Sequence, residues 1–243
     1  MKLVDHALKY ARLGWPVFPV HSIKSNKCSC GKAKCSSPGK HPRTSKGLKD
    51  ASTDPQVIET WWEKWTDANI AVRTGPESGL AVLDIDVKGG GPDNLELLES
   101  ENEPLPETLV AQTGGGGRHY FFSYPDDGFK NSANDLASGI DTRGDGGYLL
   151  IAPSNHKSGS NYEWQDDEPG EIELAEFPKW LLKKIKAKGK ESENKTSEKS
   201  DGKFYEGGRN DALTRRAGVL RRESLETNEI ISILMILNIR RCV

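Results

Sequence analysis

Long apolar runs are missing from this 243-residue chain. Its most apolar stretches, such as 230–237, are far too short to cross a bilayer, so no membrane protein of the helical kind is expected. The N-terminus lacks a continuous apolar core followed by a small-residue cleavage site, so a cytoplasmic protein without a signal peptide is expected. Net charge is almost absent as well: 34 Lys and Arg against 36 Asp and Glu leave −2, which argues against a generic, all-over binder of nucleic acid. No internal repeat is visible. Cysteine is scarce, four in all, yet three of the four fall in one short segment. Length and composition fit one substantial soluble domain plus a remainder.

The small net charge hides strong patterning. Residues 1–50 carry Lys2, Lys9, Arg12, Lys24, Lys27, Lys32, Lys34, Lys40, Arg43, Lys46 and Lys49 against only Asp5 and Asp50. Residues 92–107 and 161–176 carry acids alone. A basic face attracts a polyanion by releasing its counterions, and the acidic segments then read as solvated loops turned away from it. A lysine-rich surface that only keeps the protein soluble is the plainer alternative.

The segment Leu83-Asp84-Ile85-Asp86-Val87 puts two carboxylates inside an apolar run. On one strand they share a face about 6.5 Å apart. Two such carboxylates repel and resist burial unless a cation or a hydrogen-bond network compensates, so the pair reads as a divalent-metal site; an edge strand with a charged outer face is the alternative. Gly114 to Gly117 open directly into Arg118-His119-Tyr120-Phe121-Phe122, where glycines would let backbone N–H groups approach a phosphate, or simply make a flexible loop. Asp141 lies at the end of a further expected strand, and a third carboxylate beside a pair is what two-metal phosphoryl transfer needs. Asp145, before Gly146-Gly147, reads as a turn residue.

Cys28, Cys30, Cys35 and His41 fall within fourteen polar residues that cannot pack a core. They suit a tetrahedral structural zinc site that pins a basic loop, with His21 an alternative fourth ligand and free thiols or a redox pair the competing reading. Apolar spacing predicts a helix over 3–13, Asp54-Pro55 caps another carrying Trp61, Trp62 and Trp65, and a third covers 92–101. Strands are expected near 69–74, 79–87, 109–112, 118–123 and 147–152: a mixed α+β pattern. Residues 186–203 read as a polar linker, and 204–243 as a helical segment whose two helices bury their apolar faces poorly alone. The stop at Arg240-Arg241-Cys242-Val243 leaves truncation or docking onto a partner as the expectation.

Taken in order, Asp84-x-Asp86, the Gly-rich segment ending in His119, and the segment holding Asp141 resemble the bifunctional DNA primase/polymerase N-terminal domain of plasmid, phage and prophage replication proteins. That domain belongs to the archaeo-eukaryotic primase superfamily. The likeness extends to Ala7–Val20, Gly39-Lys40-His41-Pro42, Asn69–Gly75 and Ala152-Pro153-Ser154-Asn155-His156 with Tyr162-Glu163-Trp164, about residues 5 to 185 in all. It implies a catalytic domain over 1–185, with its Cys-rich loop at 27–42, built on an RNA-recognition-like antiparallel sheet. It implies that Asp84, Asp86 and Asp141 hold Mg²⁺ or Mn²⁺ and that His119 contacts the phosphates of an incoming nucleotide. Arg118, Arg143, Arg73 and Lys40 are candidate phosphate cations. The implied activity is a DNA-dependent nucleotidyltransferase joining dNTPs or NTPs on a single-stranded DNA template, with a helicase or another replication protein as partner. The tail resembles the start of a primase C-terminal helical module. Two other readings stay open: a noncatalytic, zinc-stabilised replication-initiation module, and an Asp-x-Asp glycosyltransferase.

Overall fold

A computed structural model describes residues 1–196 together with Ile231. The chain divides into two compact units, Met1–Lys190 and Glu191–Val243, and, apart from the end of the last helix, the first carries all that follows. In order it runs α1 (Leu3–Arg12), β1 (Val17–Val20), β2 (Ile23–Lys24), β3 (Lys27–Cys28), α2 (Pro55–Lys64), β4 (Asn69–Arg73), β5 (Leu80–Ile85), α3 (Gly91–Ser100), β6 (Val110–Gln112), β7 (Arg118–Ser123), β8 (Ser132–Ala137), β9 (Ile140–Arg143), β10 (Tyr148–Leu150), β11 (Glu163–Trp164) and α4 (Lys179–Thr196). The α+β expectation holds, and the strands form a six-stranded sheet in the order β11-β6-β7-β5-β9-β8, a three-stranded sheet β1-β4-β10 and the small hairpin β2-β3.

Local chemistry accounts for the helix starts. Asp54 caps α2 by accepting the Gln56 N–H at 2.9 Å, with Pro55 in the first turn where its missing N–H costs nothing. Trp62 is buried and donates its indole N–H to the Ala68 carbonyl, while Trp61 and Trp65 pack half-buried against the core. All three thus serve packing, as their helical spacing predicts.

Strand alternation divides the core in two. On β5, Leu80 and Val82 face one cluster with Tyr10, Trp15, Ile58 and Phe121, under α1 and α2. Ala81, Leu83 and Ile85 face the other with Leu95, Phe122, Ile140 and Leu181, under α3 and α4. At Asp84 the first face stops being apolar, and the catalytic candidates begin there.

One expectation needs correction. The strand expected over 79–87 ends at Ile85, because Asp86 turns the chain: its side chain accepts the Lys88 N–H at 2.9 Å and opens a 3₁₀ turn over Val87–Gly89. Helix α4 also runs on into the polar stretch expected as a linker over 186–203, as far as Thr196; its Lys, Glu and Ala residues are good helix formers. The remainder of that linker and the helical segment 204–243, Cys242 included, lie outside the described residues. None of the described helices is long and apolar enough to cross a membrane.

Candidate active site

Antiparallel register builds the site. β5 lies between β7 and β9, so Asp84 is paired with His119 on one side and with Asp141 on the other. Paired residues share a face, so three polar side chains from separate parts of the chain meet where the apolar face ends. Arg143, two residues beyond Asp141, joins them: one guanidinium nitrogen lies 3.0 Å from Asp84 Oδ2 and 2.8 Å from Asp141 Oδ2. His119 Nε2 lies 3.3 Å from Asp84 Oδ1. Burial alone would raise the Asp84 pKa, but the charges and hydrogen bonds of His119 and Arg143 prevail and hold it well below the usual carboxylate range.

These groups open onto a cleft of about 440 Å³. Its walls include Asp84, Asp86, Asp141, His119, Arg143 and Lys40, all anticipated from the sequence. A larger groove of about 990 Å³ lies between 123–127 and the start of α4. That groove holds none of the converging carboxylates, so the smaller cleft is where chemistry can occur.

Two expected cations are not brought to the cleft. Arg118 directly precedes His119 on β7, so alternation sends it to the opposite face, where it meets the Tyr120 hydroxyl. Arg73 sits on the three-stranded sheet and pairs with Glu77, four residues on. The glycine run is also more constrained than its composition suggests. Thr113 and Gly117 close a tight turn in which the Gly116 and Gly117 N–H groups donate to Thr113, so neither is left to cradle a phosphate. Asp145 lies exposed in the turn before β10, as its Asp-Gly context predicts.

Sequence reasoning passed over several lining residues. His156, Lys157 and Tyr162 belong to the closing strand-loop-strand and reach the same cleft. The Tyr162 ring sits 5.8 Å from that of His119 and 6.2 Å from that of His156. Burial, then the charges of Lys40 and Lys157, lower the His156 pKa. Also unforeseen was a glycine cluster: Gly89 and Gly91 pack against Gly139 in the β8–β9 turn, and a Cβ on any of the three would come within 2.7 Å of facing backbone. Close packing there fixes where Asp86 emerges.

Beside the cleft, the ligand atoms of Cys28, Cys30, Cys35 and His41 all lie within 4.8 Å of one another. Three thiols and an imidazole at such spacing match the donor set and size of a tetrahedral zinc site. His41 is the histidine of the set, its Nε2 3.4 Å from Cys28 Sγ. His21 instead packs its ring, tilted by 32°, against the His41 ring at 4.3 Å while its Nδ1 meets Ser29 Oγ. The three carboxylates of the cleft do not converge as tightly.

A family model described as bifunctional DNA primase/polymerase, N-terminal, matches residues 7–180. A search of curated proteins found no match.

Proposed function

The chain belongs to the bifunctional DNA primase/polymerase family, and we propose that its cleft joins dNTPs or NTPs on a single-stranded DNA template, releasing pyrophosphate. Membership implies nucleotidyltransferase activity of the primase/polymerase type; the substrates and the roles below are our reading. The observation that carries it is the register of β5, which sets Asp84 between His119 and Asp141 in a cleft that Lys40, Arg143 and Lys157 also line.

Asp84, Asp86 and Asp141 would hold the divalent cations, Mg²⁺ or Mn²⁺. Their all-oxygen donor set suits hard cations of that kind. Such cations supply charge neutralisation at the triphosphate and a more acidic primer hydroxyl. Asp84 is already ionised and oriented: His119 holds one of its oxygens and Arg143 the other. This supports a positioning part for His119 in addition to the phosphate contact that the family resemblance implies. Asp86 commits one oxygen to the Lys88 N–H, which fixes the carboxylate while its second oxygen can bind. Arg143, Lys40 and Lys157 bring positive charge to the cleft where triphosphate charge would develop on the leaving group. Catalysis on this scheme is positioning and electrostatics, and no covalent nucleophile is required.

Cys28, Cys30, Cys35 and His41 would hold zinc, which supplies cross-linking of a loop without a core of its own. The decisive experiment is primer extension on a primed single-stranded template with Mg²⁺ or Mn²⁺, wild type beside Asp84→Asn and Asp141→Asn. Extension by the wild type alone is expected. Extension that survives in both variants, or none by the wild type with either nucleotide class, would refute the reading.

A further inference from the structure

We infer that the Cys28, Cys30, Cys35 and His41 cluster, loaded with zinc, positions Lys40 to contact the triphosphate, so that nucleotide affinity depends on a metal site outside the cleft. This rests on the nucleotidyltransferase reading above.

The loop from His21 to His41 closes on itself: the His21 N–H donates to the His41 carbonyl at 2.9 Å, and Val20 bridges to Pro42. Between its ends, Cys28 alone of residues 24–38 is buried. Apolar packing therefore does not order this segment, and the ordering entropy of some fifteen residues must be offset otherwise. Convergence of three sulfurs and an imidazole on one point is what a soft tetrahedral cation accomplishes.

Lys40 lies at the point where this cluster meets the cleft. Both of its neighbours touch the same sulfur: the Gly39 N–H donates to Cys28 Sγ at 3.4 Å, and His41 Nε2 lies 3.4 Å from it. Its own carbonyl accepts the Tyr148 hydroxyl at 3.1 Å, and the Gly39 carbonyl accepts from Asn69 Nδ2 at 3.0 Å. The rest of the domain thus grips this stretch through three carbonyls, those of Gly39, Lys40 and His41, while the cluster grips it through the amide before Lys40 and the ring after it. Gly39 has φ +74°, and a Cβ there would sit 3.0 Å from Ile23, so the tight path past Cys28 needs glycine. From this anchorage the Lys40 side chain enters the cleft, where Asp84, Asp86 and Lys157 are near enough to act on its charge. Release of the metal would leave Cys28 only weak sulfur hydrogen bonds and the His41 ring only its packing on His21. The carbonyl grips alone do not fix the direction of the Lys40 side chain. Cys30 and Cys35 act on Lys40 only through the shared metal, since neither lines the cleft.

The test is a double-mutant cycle on the full chain, read as the Kd for a fluorescent dATP analogue with Mg²⁺ and no primer, alongside zinc content per chain. Wild type should carry one zinc. Cys35→Ser should lose it and weaken binding roughly tenfold to a hundredfold, the range of one charge-assisted hydrogen bond. Lys40→Ala should cost about as much, and Cys35→Ser should then add little in the Lys40→Ala background. A full additive loss, an unchanged Kd after zinc loss, or a wild type without zinc would overturn the inference. Should Cys35→Ser not fold, zinc is stripped from wild type with a chelator, the chelator removed and zinc restored. Affinity that falls and recovers supports the coupling, and affinity indifferent to zinc overturns it. Zinc-loaded wild type that binds no dATP analogue would instead sink the nucleotidyltransferase reading along with the inference.

Discussion

Gly139→Ala is the sharpest perturbation of the site that leaves every polar group in place. Gly139 adopts φ +75° in the β8–β9 turn, and its carbonyl accepts the Asp86 N–H at 2.8 Å. A Cβ there would lie 2.7 Å from both the Asp86 carbonyl oxygen and the Gly91 nitrogen, and 2.9 Å from the Gly89 carbonyl carbon. All three contacts are backbone, so no side chain can swing aside. The left-handed φ alone costs about 1 kcal/mol for alanine, and forcing the turn apart adds about 1–3 kcal/mol. Gly79→Ala isolates the first contribution, since Gly79 has φ +67° with nothing within 4 Å of the added methyl. For a unit of this size each kcal/mol moves Tm by about 2–4 °C. Gly139→Ala should therefore melt roughly 2–12 °C below Gly79→Ala. It should also lose about 10²-fold in primer extension, because a shift near 1 Å at Asp86 misplaces the reacting geometry. Equal melting temperatures with wild-type extension in both variants would refute the account of the glycine cluster.

Three other outcomes follow from single contacts. Arg143→Gln leaves Asp84 and Asp141 opposed across the strands without their shared cation, so extension should fall about 10²–10³-fold; steady-state kinetics within threefold of wild type would disprove that role. Asp54→Ala removes the cap of α2 and should cost about 1 kcal/mol by denaturant titration with extension unchanged, whereas an unaltered midpoint would mean the cap is idle. Asp67 loses solvation, which would raise its pKa, but the Ser22 hydroxyl and then Arg43 and Lys24 pull it lower overall. Its contribution to stability is thus fully present above the unfolded carboxylate value, about pH 4, and is lost as pH falls through the lower folded value. Asp67→Asn should consequently melt lower than wild type at pH 7, with the gap closing towards pH 3; a gap independent of pH would exclude linkage through this group.

What the sequence disclosed follows from how local each signal is. The cap of α2, the apolar alternation of β5 and β7 and the carboxylates at 84 and 141 are each written in a few adjacent residues, and the structure has them in the expected elements, whereas Asp86, expected on the strand of Asp84, lies in the turn that follows it. The zinc candidates were legible for the same reason, and the structure groups His41 rather than His21 with the three thiols. What stayed hidden depends on pairing between distant segments. Alternation alone puts Arg118, one residue from His119, and Arg143, two residues from Asp141, on different faces relative to those residues, but that His119 and Asp141 share the face of Asp84 is set by the register of three strands. The need for glycine at 89, 91 and 139 likewise arises where two turns fifty residues apart touch backbone to backbone. His156 and Lys157 reach the cleft on a loop whose course is set by the Asn69–Asn155 hydrogen bonds, 86 residues apart in the chain.

The position of the charged cluster has a physical logic of its own. Adjacent carboxylates are costly inside a sheet, yet they must be rigid to hold cations in a reactive arrangement. This fold meets both demands by running the first apolar face of β5 up to Val82 and then changing chemistry at Asp84. The strand stays locked by its neighbours on both sides through Ile85, so Asp84 inherits the rigidity of the core without its dryness. Beyond Ile85 the pairing stops and the Asp86 turn takes over, tied to the sheet by the Asp86 N–H to Gly139 bond. Arg143 then serves two purposes with one guanidinium: it relieves repulsion between Asp84 and Asp141, and it keeps positive charge at the edge of the cleft. Both carboxylates meet one terminal nitrogen of that guanidinium while its other terminal nitrogen lies 3.5 Å from Asn131 Oδ1, a spread that the single nitrogen of a lysine does not have.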